Sequence, residues 1–210
     1  GVYNFNLDRY STKSYGYTDE NNTLVYEISA NSDTTAGAFY PWTEDSGKDE
    51  LSYYKSDFEC LYPPTRAAGN DNMSELIRLI EWVNNSSDED FKDNISNYFN
   101  LEYLLRYYLY VYVFGAVDSL GKNMKLMTAD GLKWYPQVYD ADTTIGLDNT
   151  GFLKFDMDIE MGDEGVFNTT GSKLWQRIVL LFQDDLKREY ALMRQDRFTV
   201  ENIMKYLYDE

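Results

Sequence analysis

The chain has 210 residues, 43% of them apolar and 17% aromatic, enough to bury the core of one domain or of two small lobes that share an interface. Its formal net charge is −17, with carboxylates scattered along the chain, which argues against nucleic acid and anionic membranes as partners because both reward clustered Lys and Arg. With no histidine and one cysteine, Cys60, Ser-His triads, His-ligated zinc, imidazole acid–base chemistry and an internal disulfide framework are ruled out. Carboxylates, amides, lysines and tyrosines remain.

The chain opens on Gly1-Val2-Tyr3 with neither an initiator Met nor a signal-peptide pattern, as expected of a piece of something longer. Gly1 to Leu7 alternates as a strand does, and Thr23 to Ile28 predicts a second strand after the polar turn Asp19-Glu20-Asn21-Asn22. Ala30 to Asn72, with Pro41, Pro63 and Pro64, keeps no sustained period and reads as a long irregular connection with room for strand fragments.

From Ser74 onward the pattern is mainly helical. Ser74 is placed to cap a helix over Glu75 to Asn84 with Leu76, Leu79, Ile80 and Val83 on its buried face, and Ser86-Ser87-Asp88 opens another short helix. Asn100 caps a central helix in which Leu101, Leu104, Leu105, Tyr108, Leu109, Tyr112 and Val113 leave little surface for water, and Gly115 ends it. The apolar run from Tyr103 to Val117 is interrupted by Arg106 and falls short of the roughly 20 residues that span a bilayer, so a buried core helix is expected and no membrane insertion. Asn123 to Met127 and Trp134 to Tyr139 predict a hairpin about the turn Ala129-Asp130-Gly131. Ser172 then caps a long amphipathic helix over Lys173 to Arg194, with Leu174, Ile178, Leu181, Phe182, Leu186, Tyr190 and Met193 at helical spacing, and Thr199 caps a last one.

The chemistry concentrates between Asn97 and Gly146. A buried helix runs into Asp118, Asn123 follows five residues later, and Asp140-Ala141-Asp142 closes the hairpin. Helix, Asp-loop, strand, turn, strand, Asp-loop is the order in which the kinase fold sets its catalytic and metal-binding loops. Taken singly, Asp118 also reads as a turn residue that ends a helix, and Asp140 and Asp142 as solvated turn carboxylates. Successive carboxylates after a strand as apolar as Trp134 to Tyr139 point more strongly to a metal site.

The wider pattern resembles the CotH-type atypical kinase family, the spore-coat-like kinases. The resembling pieces are Gly1-Val2-Tyr3 followed by Asp8, Asp118-Ser119 with Lys122-Asn123 before a strand, and Tyr139-Asp140-Ala141-Asp142 with Gly146 after Trp134. The run from Leu174 to Leu207, with Tyr190, Arg194, Phe198 and Glu201, is similar to that family's closing helices. The resemblance implies a protein-kinase-like α+β fold: a partial β-rich lobe and irregular connection over 1–72, and a helical lobe over 73–210 that carries the catalytic-type and metal-type loops. It implies Asp118 as catalytic base or substrate-orienting group, Lys122 and Asn123 on the cofactor side, and Asn123 and Asp140 holding Mg²⁺ or Mn²⁺ against the phosphates of ATP. Asp142 would be a further ligand or a partner of one. The acceptor would be a protein hydroxyl.

The chain also departs from the kinase pattern. Leu120 stands where the catalytic loop usually has Lys, Ala116-Val117 replace a His-Arg brace before Asp118, and neither a glycine-rich phosphate loop nor the strand lysine that grips phosphate is visible; both would have to precede Gly1. Two other motifs compete. Asp140 to Ile145 imitates the haloacid-dehalogenase phosphatase signature, which requires the first strand of a parallel sheet. Asp156-Met157-Asp158-Ile159-Glu160 starts like an EF-hand loop but has Met161 and Phe167 where Gly and Glu belong, so an exposed acidic strand is expected there. Tyr10, Tyr15, Tyr17, Tyr53 and Tyr54 lie in polar sequence and offer a binding surface. They motivate a second reading: a non-catalytic kinase-like interaction module of a bacteriophage or cell-surface assembly, located on a virion or on a spore or cell surface.

Overall fold

A computed structural model describes residues 23–28, 39, 58–62, 74–116, 119–120, 123–139, 144–147 and 172–208. The expected strand Gly1–Leu7, the loop tyrosines 10, 15, 17, 53 and 54, and the acidic stretch 156–160 lie outside these residues, as do Asp118, Lys122, Asp140 and Asp142. The described chain is α+β, with one small antiparallel sheet and six helices.

The sheet has the order β2-β1-β3-β4, formed by β1 (Leu24–Ile28), β2 (Phe58–Tyr62), β3 (Met124–Thr128) and β4 (Trp134–Val138). β1 and the hairpin strands fall within a residue of the expected positions. β2 is a fragment inside the irregular connection that its sequence did not single out. Every named pair is antiparallel, with Tyr26 opposite Leu126 and Leu126 opposite Pro136. Among the described strands β4 comes last in the sheet, a position where a residue without an N–H such as Pro136 is tolerated. The antiparallel pairing of β4 with β3 also removes the phosphatase reading of Asp140, which required a parallel sheet.

Alternation assigns the two faces. Tyr26, Ile28, Phe58, Met124, Leu126 and Trp134 join the main core with the helices, while Val25, Leu61 and Met127 form a small cluster on the other face. The hairpin turn is built by side chains. Thr128 Oγ1 accepts the N–H groups of Asp130 and Gly131, and Asp130 Oδ1 accepts those of Leu132 and Lys133. Gly131 sits at φ 72°, where any other residue would be strained. Burial pushes the Asp130 carboxyl up, but its hydrogen bonds from Lys133, Leu132 and Thr128 outweigh this and hold it below the usual carboxylate range.

The helices are α1 (Ser74–Asn85), α2 (Asp88–Tyr98), α3 (Leu101–Phe114), α4 (Lys173–Leu181), α5 (Gln183–Gln195) and α6 (Val200–Tyr208). Ser87 caps α2 by accepting from Asp90 N–H, Asn100 caps α3 by accepting from Tyr103 N–H, and Thr199 caps α6 by accepting from Asn202 N–H. Ser74 is the first residue of α1 rather than the residue before it.

Three expectations need correction. The helix expected over Lys173 to Arg194 is two helices, broken at Phe182 (φ −121°, ψ 31°). The break turns the Phe182 ring into the core, 6.3 Å from Phe91, and lets Asp184 and Asp185 open a new first turn, where carboxylates complement the helix dipole. Ser172 stands at the start of α4 without making a side-chain cap bond. The central helix α3 does have a solvent face: Tyr103, Tyr112 and Val113 are 39%, 48% and 37% exposed, because its neighbours α5 and β4 cover only part of its surface. Tyrosine makes such exposure tolerable, since its hydroxyl stays hydrated.

One buried cation organises the helices. Arg177, on α4, is 4% exposed and its guanidinium donates to Val83 O, Ser86 Oγ, Ser87 O and Asp88 Oδ1, with Phe91 beneath it at 4.1 Å. It ties the α1–α2 junction, where Trp82 stacks between Phe91 and Tyr98, to a helix some ninety residues later. Arg177→Ala should therefore lower stability by about 3 kcal/mol or more, by stranding buried acceptors. Arg177→Lys should restore only part of it, because an ammonium lacks the planar fork. Chemical denaturation of the three proteins measures this.

Candidate functional site

The site region starts at the end of α3. Gly115 takes the left-handed conformation (φ 61°), its N–H meets Tyr112 O, and Ala116 N–H returns to Val111 O at 2.9 Å. This is the Schellman ending of a helix, which needs Gly at that position. Ser119 N–H then donates to Ala116 O at 2.9 Å. The next residues are held from the helices: Tyr107 Oη donates to Ser119 O at 2.6 Å and Trp175 Nε1 donates to Leu120 O at 3.0 Å. Ser119 and Leu120 are both buried.

Asn123 opens β3 in the left-handed region (φ 51°), which Asn tolerates better than most residues. Its carbonyl accepts from Tyr139 N–H at 3.0 Å, so the open end of the hairpin joins the residue after Lys122 to the residue before Asp140. The Asn123 side chain is half-buried and makes no hydrogen bond among the described residues. Farther along, Ile145 N–H donates to Phe114 O at 2.7 Å, which returns the chain to the end of α3. Ile145 has φ 56°, a true outlier for a β-branched residue. Beside it a cavity of about 550 Å³ is lined by Phe114, Ile145, Arg197, Phe198, Asn202 and Ile203 among others.

Of the sequence-derived candidates, only Asn123 is among the described residues. The others occupy short gaps: Asp118 between Ala116 and Ser119, Lys122 between Leu120 and Asn123, and Asp140 and Asp142 between Tyr139 and Thr144. The described residues flanking these gaps are hydrogen-bonded to α3, to α4 or to each other. Among the described residues no group of three or more acidic or cysteine side chains is arranged to hold a metal ion.

Sequence reasoning missed three residues of this region. Nothing local in the sequence distinguishes Tyr107 and Trp175 from the neighbouring aromatics of their helices. Lys125 is fully buried, with its ammonium 4.7 Å from the centre of the Tyr139 ring. In register it lies opposite buried Glu27 on one side and Gln137 on the other. The signal available was a single Lys inside Met124-Lys125-Leu126-Met127, too little to read from pattern alone.

A family model described as CotH kinase protein matches residues 6–209. The chain belongs to the CotH kinase protein family. No match was found among the curated proteins. No helix of the described residues is long and apolar enough to cross a membrane.

The tyrosines around this region give it an alkaline limit. Burial raises the Tyr107 phenol well above its ordinary value near 10, with Tyr103 and Tyr110 adding to the effect, and burial likewise raises Tyr103, Tyr108 and Tyr110. The unfolded chain releases these protons near pH 10 while the folded chain keeps them. Stability from this source is therefore complete below about pH 10 and is lost as pH rises above it. Thermal melts from about pH 9 to 11 should show this fall, and Tyr107→Phe should make it shallower.

Proposed function

We propose that this chain is a kinase-like domain that binds ATP with Mg²⁺ or Mn²⁺ and transfers phosphate to a protein hydroxyl. The observation that supports the reading is the anchoring of the described residues next to Asp118, Lys122 and Asp140 in sequence: Ala116 and Ser119 to α3, Leu120 to α4, and Asn123 to Tyr139. Family membership supports the same assignment. In this reading 73–210 is the helical lobe and 1–72, the source of β1 and β2, is the partial β-rich lobe.

The donor set fits the cofactor. Asn123, Asp140 and Asp142 offer only oxygen ligands, the type that hard divalent cations take, and the Asn123 amide has no competing partner among the described residues. Bound metal would neutralise charge on the transferring phosphoryl group and on the leaving phosphates. Asp118 accepts or orients the proton of the acceptor hydroxyl, and Lys122 adds a cation on the phosphate side. The carboxylates of a chain this acidic repel free phosphate, so nucleotide binding depends on divalent metal.

Calorimetric titration of ATP with Mg²⁺ or Mn²⁺ tests this. The parent should bind only with metal, and Asp140→Ala should lose that binding. Asp118→Asn should keep it while transfer falls by about 10²- to 10⁴-fold. Metal-dependent binding that survives in Asp140→Ala removes the role given to that residue. A folded parent that binds no nucleotide favours the interaction-module reading.

A further inference from the structure

A strand buried on both faces normally carries apolar residues, because an ammonium is costly to take out of water. β3 is such a strand, and its second position holds Lys125, which is fully buried. The side chain leans in a definite direction. Its register partners are Glu27 on β1 and Gln137 on β4, yet its ammonium lies over Tyr139, two residues farther along, 4.7 Å from the ring centre. Tyr139 N–H donates to Asn123 O at 3.0 Å, so the cation is carried toward the open end of the hairpin, where Asn123 stands. On the same face, Gln137 Oε1 is buried and accepts no hydrogen bond among the described residues. A buried acceptor left in this way calls for a partner from outside.

We propose that Lys125 is a nucleotide-binding residue, the strand lysine that holds phosphate. The inference rests on the kinase reading for the identity of the ligand. Kinases grip phosphate with a strand lysine that is steadied by a glutamate. Lys125 has a buried carboxylate residue opposite it in register, Glu27, 5% exposed. Both stand on one sheet, so the role falls to a strand other than the one on which the kinase pattern places it. Asn123 and Lys125 are two residues apart on the chain, a separation of at most about 7 Å. A metal held by the Asn123 amide and the Lys125 ammonium therefore fall within the span of one triphosphate. Gln137 Oε1 is left to accept from a ribose hydroxyl. A purely structural Lys125 would serve only to neutralise Glu27, and the two roles separate by experiment.

Calorimetry of Mg²⁺-bound ATP with Lys125→Met tests this, since Met keeps the unbranched shape and removes the charge. Lys133→Met is the control for net charge, because Lys133 lies at the turn, the opposite end of the hairpin from Asn123. Lys125→Met should weaken ATP binding about 10-fold or more, and Lys133→Met should leave it within about twofold. Thermal melts without nucleotide should show cooperative unfolding in both variants, so that lost binding is not lost fold. Parent-like ATP affinity in a folded Lys125→Met overturns the proposal. Should that variant not fold, the unaltered parent decides, using an acyl-phosphate derivative of ATP. The lysine amine attacks the acyl carbonyl, the bond from that carbon to the phosphate oxygen breaks, ATP leaves and the amine proton goes to solvent. Mass spectrometry should find the acyl group on Lys125, suppressed by excess ATP. Label confined to other lysines, with ATP suppressing it there, overturns the proposal and leaves the kinase reading standing. A folded parent that neither binds Mg²⁺-bound ATP nor takes an ATP-suppressible label defeats both.

Discussion

The antiparallel pairing of β1 with β3 is the constraint on which the rest depends. β3 is buried at all five positions and is hydrogen-bonded on both sides, to β1 through Leu126–Tyr26 and to β4 through Leu126–Pro136. A strand held this way cannot slip by one residue without exchanging Met124, Leu126 and Thr128 for Lys125 and Met127 on the helix-facing side. Its register thus fixes where Asn123 emerges at one end and where Thr128 begins the turn at the other. The helices then pack against a surface whose position is already set, with Tyr26 and Trp134 in contact at 5.8 Å.

Among the described residues, three basic side chains link elements that are distant in sequence. Arg177 saturates the acceptors of a helix junction, Lys125 lies against the Tyr139 ring opposite Glu27, and Arg106 on α3 joins Glu189 on α5 at 3.1 Å. Glu189 is itself nearly buried. Buried charges add little net stability compared with apolar packing, but they penalise every arrangement in which their partners are separated. Their distribution here favours one placement of α4 on the α1–α2 junction and one of α5 on α3.

Much of this fold was legible in the sequence because local rules carry it. Ser87, Asn100, Gly115 and Thr199 mark helix ends by chemistry that needs no distant partner, and the hairpin announces itself through Asp130-Gly131. What failed was decided by packing. The break at Phe182 has no Pro or Gly to signal it, since it follows from turning one ring toward Phe91. The solvent face of α3 was hidden because its tyrosines score as apolar while tolerating water. β2 was overlooked because Phe58–Tyr62 becomes a strand only by pairing with β1. At the site, residue type and spacing nominated Asp118, Asn123 and Asp140, whereas Tyr107, Trp175 and Lys125 acquire their roles from contacts far along the chain, which no local window contains.

The Arg177 contact also bears on the order of assembly. Its acceptors lie 89 to 94 residues earlier in the chain, so during synthesis α1 and α2 emerge long before the guanidinium that completes their junction. Until then Val83 and Ser87 carbonyls must remain hydrated, and Trp82, Phe91 and Tyr98 form a nascent cluster that is open on one side. Closure of a loop this long is slow compared with helix formation and is made late. The docking of α4 is therefore a gate on maturation: a nascent chain that stalls before residue 177 presents an aromatic surface suited to capture by chaperones rather than a finished core.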